Sequence, residues 1–496
     1  MVSFALPRIV IAGLAGDVGK TLLSAGLIRA FRRRGLDVAP FKKGPDYIDP
    51  AWLAAAAGRA ACSLDSFLMS SESITGALAC ARDADLAVVE GNRGLFDGLD
   101  AEGTHSTAEL AKRIRAPLVL VLDVSKSTRT VAALVLGCLV LDAGLPLAGV
   151  ILNRVGTARQ ERVIREAIVR ATRVPVLGAI PRLSFDHLPS RHLGLVMPGE
   201  REDRESALDA VADAVERGVD LDAIKFLADE APSLAWPGEA RVGEPRPARP
   251  IKVGILKDHA FSFYYPENLA ALEVQGATLV PLSPLRDREL PAIDALYAGG
   301  GYPEAHAAAL AANTGFRTAL AARIANGLPV WAECGGLMYL ATALRCGGQR
   351  HEMVGALPIE IEQTGRPQGH GYVEACVDGE NPFLALGTRL RGHEFHYSRL
   401  YGNAPVTTAL ALDSGVGVGN RRDGIVAGHV FASYLHLFAP GAPDWAPAFV
   451  RVARETRAAS TSTPANTGDH RGIHNGPRLA DRNRRGRIHP GACQVE

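Results

Sequence analysis

Ile9-Val10-Ile11-Ala12-Gly13-Leu14-Ala15-Gly16-Asp17-Val18-Gly19-Lys20-Thr21 reads as an apolar strand, a glycine-bearing loop and the start of a helix. In residues 22–34, Leu23, Leu27, Ile28 and Phe31 share one helical face, and Gly35 ends the run. Glycines let backbone N–H groups converge on phosphate oxygens. Lys20 supplies charge to the β- and γ-phosphates, and the Thr21 hydroxyl suits Mg²⁺. The nucleotide-binding candidates are therefore Gly16, Gly19, Lys20 and Thr21. Five residues rather than the usual four separate Gly13 from Gly19, so the flanking strand and helix carry much of the weight.

Working outward, apolar runs at 9–12, 86–89, 118–122, 148–152 and 176–180 alternate with helical patterns. That alternation predicts a doubly wound α/β domain with a parallel sheet. A further helix, 205–217, is expected on its edge. Glu90 ends the 86–89 run, where a Walker-B acid sits. Phe41-Lys42-Lys43-Gly44-Pro45-Asp46-Tyr47-Ile48-Asp49-Pro50 is read as following a second strand. It offers lysines for anions and two carboxylates for Mg²⁺. Asp123 ends another run, and Asn153 either contacts an adenine or caps a turn.

Residues 231–250 are rich in Pro and Gly and lack periodicity, which predicts a linker. A second α/β pattern follows over 251–453: strands at 251–256, 278–281 and 292–298, and a helix at 267–275. Residues 454–496 are expected to be a disordered tail. The first domain is thus 1–230.

Pro329-Val330-Trp331-Ala332-Glu333-Cys334-Gly335-Gly336 closes an apolar run on a cysteine, and Leu337-Met338-Tyr339-Leu340 continues as a helix. This is the shape of a nucleophile elbow. His429 and His436 are its candidate bases, since an imidazole deprotonates a thiol and later protonates a leaving amine. The Gly299-Gly300-Gly301-Tyr302-Pro303-Glu304 turn offers exposed N–H groups for an oxyanion.

Lys+Arg total 54 and Asp+Glu 53, a balance that suggests neither nucleic acid nor a membrane surface as partner. The apolar stretch 131–141 is too short to span a bilayer. The seven cysteines form no close pair, so neither a disulfide framework nor a zinc site is expected. A soluble cytoplasmic protein is the expectation.

These motifs resemble those of the cobyrinic acid a,c-diamide synthase family over residues 8–440. The resemblance rests on residues 45–50, 299–304, 332–340 and 433–436, and on three further segments. These are Gly94-Leu95-Phe96-Asp97-Gly98, Phe263-Tyr264-Tyr265-Pro266-Glu267-Asn268 and Arg391-Gly392-His393-Glu394-Phe395-His396-Tyr397-Ser398. It implies a dethiobiotin-synthetase-like ATPase fused to a class I, flavodoxin-like glutamine amidotransferase domain. It implies Cys334 as nucleophile, His436 as base and Gly300 and Gly301 at the oxyanion. Mg²⁺ falls to Thr21, Asp46 and Glu90, with ATP and L-glutamine as co-substrates. A tetrapyrrole acid would lie between the domains, near Asp49, Tyr264 and Tyr265. Whether the enzyme is a homodimer stays open.

Three departures stand out. Ala15-Gly16-Asp17 replaces the family's usual serine-bearing loop. His436-Leu437-Phe438 replaces His-Leu-His, removing a possible third triad member. Asn92-Arg93 replaces two apolar residues and, with Thr104-His105-Ser106-Thr107, looks like family members found with sirohaem and sulfur metabolism. A sirohaem or sirohydrochlorin amidase is therefore the alternative, with Arg93 pairing an extra carboxylate or bonding its own loop. A P-loop switch with a non-catalytic amidotransferase domain would predict loss of Cys334 or His436, and both are present.

Overall fold

The computed structural model describes residues 2–183, 190–191, 194–236, 238, 249–402 and 404–462. In the first half, β1 (Arg8–Gly13), β2 (Val38–Lys43), β3 (Cys62–Leu64), β4 (Leu86–Glu90), β5 (Leu118–Asp123), β6 (Leu147–Val155) and β7 (Val176–Pro181) form one sheet. Its order is β3-β2-β4-β1-β5-β6-β7, and every pairing is parallel. Near-continuous apolar sequence in β1, β4 and β5 follows from burial on both faces. The expected second strand extends further than its sequence suggests, so Phe41-Lys42-Lys43 lies within β2.

The carboxyl ends of these strands share one edge. There Lys42 pairs in register with Glu90, and Asp123 with Asn153. Such edges are where open α/β sheets hold ligands.

Helix α1 (Lys20–Arg33) follows the loop after β1, and α2 (Ile48–Ala57) follows β2. Helix α3 (Arg204–Gly218), expected on the sheet edge, does reach the edge strand β7 and packs most extensively on α1. Leu208 and Val215 join the core that holds Leu23, Leu27 and Ile28, and Gly26 gives Val211 and Val215 room to approach. Arg29 and Arg33 fasten the pair through Glu205, Asp209 and Asp213.

The expected linker is partly structured. Leu234–Trp236 forms an antiparallel strand with Val2–Phe4, and the buried Arg8 guanidinium donates to Pro232 O. A buried Arg needs those acceptors, so the chain stays attached to the first domain to residue 236. Residues 237 and 239–248 lie outside the described residues.

The second half is built on β8 (Ile251–Leu256), β9 (Ala277–Leu282), β10 (Ala295–Ala298), β11 (Val330–Glu333), β12 (Gly369–Val377), β13 (Arg389–His396), β14 (Thr408–Ser414), β15 (Arg422–Ala427), β16 (Val430–Ser433) and β17 (His436–Leu437). Their order is β9-β8-β10-β11-β16-β15-β14-β12-β13-β17. The first five are parallel, and the remainder is an antiparallel extension. Helix α4 (Pro266–Val274) precedes β9, and α5 (Gly335–Leu340) leaves β11. Helix α6 (Trp445–Ser462) runs past residue 453, where a tail was expected. Trp445, Phe449, Val450 and Ala453 are buried, and Arg454 and Arg457 tie the following turns to Gln275 O and Asp294. The expected tail from residue 463 lies outside the described residues. Among those described, no helix is long and apolar enough to cross a membrane.

Candidate active site

The loop after β1 is locked from β6. The Asn153 Nδ2 donates to Val18 O at 2.8 Å, and its Oδ1 accepts from Arg154 N–H. Of the two roles left open for Asn153, the structure displays the turn-holding one. Gly19 sits at φ +93°, and a Cβ there would lie 2.3 Å from Asn153 Nδ2, so only glycine fits. Lys20 Nζ folds back onto Ala15 O at 2.7 Å. Gly16 and Asp17 are exposed, and Asp17 takes φ +56°, so the unexpected acid points away from the buried part of the loop.

Lysine and carboxylates interlock at the strand ends. Thr21 Oγ1 donates to Glu90 Oε1 at 2.7 Å. Lys42, 1% exposed, donates to Glu90 Oε1 at 2.9 Å and lies 2.8 Å from Asp49 Oδ2. Asp49, expected against substrate, is thus engaged with Lys42, because a buried ammonium needs anionic partners. Burial lifts the Glu90 carboxyl above its usual range, with Lys42 opposing. Burial and then Asp49 push Asp46 up to about 7. Burial would raise Asp49 too, but the attraction of Lys42 brings it below its usual value.

Among the described residues Glu90 Oε2 is buried with no hydrogen-bond partner. An orphaned carboxylate oxygen beside a threonine hydroxyl, with Asp46 nearby, is a hard-oxygen set that fits Mg²⁺. Among the described residues no group of three or more His, Cys, Asp or Glu forms a ready metal cage. Mg²⁺ commonly binds this way, through one or two carboxylates plus waters and substrate phosphates.

Cys334 stands between β11 and α5 at φ +46°, ψ −98°. That left-handed backbone is strained for a side chain bearing a Cβ. It is held by Cys334 N–H to Ser433 O at 2.7 Å and Met338 N–H to Cys334 O at 2.9 Å. The thiol is nearly buried, and burial followed by the charge of Glu304 raises its pKa. The adjacent Gly335 N–H acts in the opposite sense.

His436 lies at the start of β17, which pairs with β13 so that His393 and His436 are in register. Their rings stack at 4.9 Å, and burial followed by His436 holds His393 well below its usual range. Gly300 has His436 as its neighbour, since an added Cβ would fall 2.7 Å from Cε1. Gly301 N lies 2.9 Å from a Cβ built on Gly335. The expected oxyanion turn, the nucleophile and the base therefore come together. The other candidate base, His429, is exposed and bonds Gly327 O.

Two partners of His436 escaped the sequence reading. Glu333 Oε2 lies 3.4 Å from His436 Nδ1. Its carboxylate is fully buried and also faces the Trp331 indole N–H (2.9 Å), Leu437 N–H (3.4 Å) and the Tyr297 hydroxyl (3.3 Å). The second is Tyr47, from the loop that carries Asp46, whose hydroxyl is 3.2 Å from the same Nδ1. With Nδ1 so occupied, Nε2 is the nitrogen left for the thiol.

A cavity of about 420 Å³ links the two halves. Cys334, His436 and Gly301 border it, as do Lys43, Asp46, Asn92 and Arg93. Arg93 Nη2 reaches His370 Nε2 across the domains at 2.9 Å, rather than its own loop. Tyr264 and Tyr265 are absent from the wall. The Tyr264 hydroxyl donates to Leu256 O and accepts from Gly299 N–H, bracing the oxyanion turn from beneath. Tyr265 is buried against Tyr47 and Phe438. A buried phenol hydrogen-bonds internally, which removes both from the substrate-facing set.

Each half of the chain matches a known family. Residues 9–196 match the CobQ/CobB/MinD/ParA nucleotide binding domain family, and residues 252–443 the CobB/CobQ-like glutamine amidotransferase domain family. The cobyrinate a,c-diamide synthase of Magnetococcus marinus is 43% identical, over 91% of this chain and 98% of that relative. The enzyme of that name from Syntrophotalea carbinolica is 44% identical, over 90% and 99%. That from Archaeoglobus fulgidus is 40% identical, over 91% and 98%.

Proposed function

This chain belongs to the cobyrinate a,c-diamide synthase family of glutamine-dependent, ATP-using amide ligases, and from that premise we propose that it amidates the a- and c-acetate carboxylates of cobyrinic acid or a close tetrapyrrole. The observation that carries the reading is the shared cavity, which has Cys334 and His436 on one side and Lys43, Asp46 and Arg93 on the other.

Cys334 attacks the glutamine amide carbon as His436 takes the thiol proton. The oxyanion is met by N–H groups of the Gly300–Gly301 turn, and the departing nitrogen takes the proton from His436 as ammonia leaves. Water then cleaves the thioester. Glu333 and Tyr47 hold Nδ1 so that Nε2 faces the sulfur. In the other half, Gly16, Gly19, Lys20 and Thr21 hold ATP. Mg²⁺, held by Thr21, Asp46 and Glu90, would neutralise phosphate charge. A carboxylate is a poor electrophile because oxide is its leaving group. Transfer of the γ-phosphoryl group makes an acyl phosphate, and ammonia displaces phosphate to leave an amide.

A sirohaem-type acid is the second reading, favoured by the position of Asn92 and Arg93 in the cavity wall, where a further carboxylate would meet Arg93. Incubation with ATP, glutamine and either cobyrinic acid or sirohaem, read by product mass, separates the two. Each amidation replaces OH by NH₂. No mass change with either acceptor would overturn the proposal.

A further inference from the structure

Four carboxylates border the cavity: Asp46, Asp97, Glu304 and Glu394. Three are engaged by the protein. Asp46 accepts from the N–H groups of Ile48 and Asp49, and Asp97 from that of Gly94. Glu394 accepts from Val416 and Gly417 N–H and lies beside His396. Among the described residues the Glu304 carboxylate meets only its own backbone N–H.

Its position is telling. Glu304 lies in the turn Pro303–His306, directly after the Gly300–Gly301 pair, and borders the same cavity as Cys334. Its charge is the largest of those acting on the thiol, and it opposes thiolate formation. Burial lifts its own carboxyl to about 7. An anion beside a nucleophile that must ionise works against catalysis unless a cation arrives with the substrate. Glutamine brings one. Four bonds of about 1.5 Å separate its amide carbon from its α-nitrogen, so an extended donor on Cys334 carries its ammonium about 5 Å from the reacting carbon.

We propose that Glu304 receives the α-ammonium group of the glutamine donor, and that this pairing removes the charge opposing the thiolate. Glu304 is then a specificity residue that admits an α-amino acid amide in preference to a simple amide. The assignment rests on the glutaminase reading above.

The test compares L-glutamine with 4-carbamoylbutanoate, which is the same chain without the amino group. On the full-length enzyme, KM for glutamine and the inhibition constant of the analogue are measured for the parent and Glu304→Gln. Loss of a charge-assisted pair is expected to raise the glutamine KM about tenfold to a hundredfold, with the analogue constant within about threefold of the parent. Glu304→Asp, which keeps the charge, is expected to recover part of the loss. Ammonium-driven amidation, measured alongside, reports folding. Equal shifts for glutamine and the analogue, or no shift for either, would overturn the assignment while leaving the glutaminase reading intact. A parent enzyme that releases no ammonia from glutamine would overturn both.

Discussion

Replacing Glu333 by Gln tests the base in a way its neighbours make unusually clear. The Trp331 indole and the Leu437 N–H point at Oε1, and both can only donate. An amide NH₂ at that position would face two donors. The new side chain therefore turns its NH₂ to the Oε2 position, toward the Tyr297 hydroxyl and His436 Nδ1. His436 must then accept at Nδ1 and carry its proton on Nε2, which leaves no lone pair for the thiol. A wrong tautomer in a nucleophile–histidine–acid system costs about 10³- to 10⁴-fold in turnover, or ~4–5 kcal/mol of barrier. The assay is glutamate release by the full chain, with ammonium-driven amidation as the control expected to stay near the parent rate. Glutaminase turnover within about threefold of the parent would refute the argument, and would leave Tyr47 as the group that fixes the imidazole.

Lys20→Ala is expected to cut ATP-dependent amidation by more than about a hundredfold, through loss of the charge on the phosphates, while glutamate release continues. ADP and glutamate assays on one preparation check both. Gly300→Ala would press a methyl group against His436 Cε1, 2.7 Å away as built. Restoring an ordinary contact moves one group by about 1 Å, which lowers glutamine-driven turnover by about 10²-fold, and steady-state kinetics with glutamine and with ammonium would separate the two. Glu267, in α4, accepts from Ser63 N–H of the first domain, and burial pushes its carboxyl from 4.5 up to about 7. The folded chain therefore keeps a proton that the unfolded chain has lost, and stability falls as pH rises from about 4.5 to 7. Glu267→Gln is expected to match the parent near pH 5 and to exceed it at pH 8 by up to ~3 kcal/mol. Thermal melts at the two pH values report this, and a parallel pH response in both proteins would count against it.

What the sequence made legible was local. Residues 9–21 and 329–340 each carry a strand, a turn and a helix start within about a dozen positions, so the phosphate loop and the elbow stand out from the chain alone. Long-range juxtaposition was opaque. Tyr47 and His436 meet across 389 positions, and no periodicity announces such a pair. Glu333 sits beside Cys334 in the same quoted stretch, yet its meaning depends on β17 folding back to bring His436 to the end of β11. Phe263-Tyr264-Tyr265 offered two phenols without saying that Gly299 N–H and Leu256 O would claim one. The Arg93 guanidinium was readable as a candidate, but its contact is His370, on a strand of the antiparallel extension that local patterns did not reveal.

The size of the interdomain cavity has a consequence for the order of events. About 420 Å³ is within the range filled by a single drug-sized molecule, so a four-ring acid of the kind proposed would not be enclosed whole. Under the proposed function, such a ring would offer one arm to the acyl-transfer position while the rest projects toward solvent. A second arm would then reach that position only after the ring has turned. If the turn takes place outside the cavity, a time course is expected to show singly converted molecules in bulk solution before doubly converted ones appear.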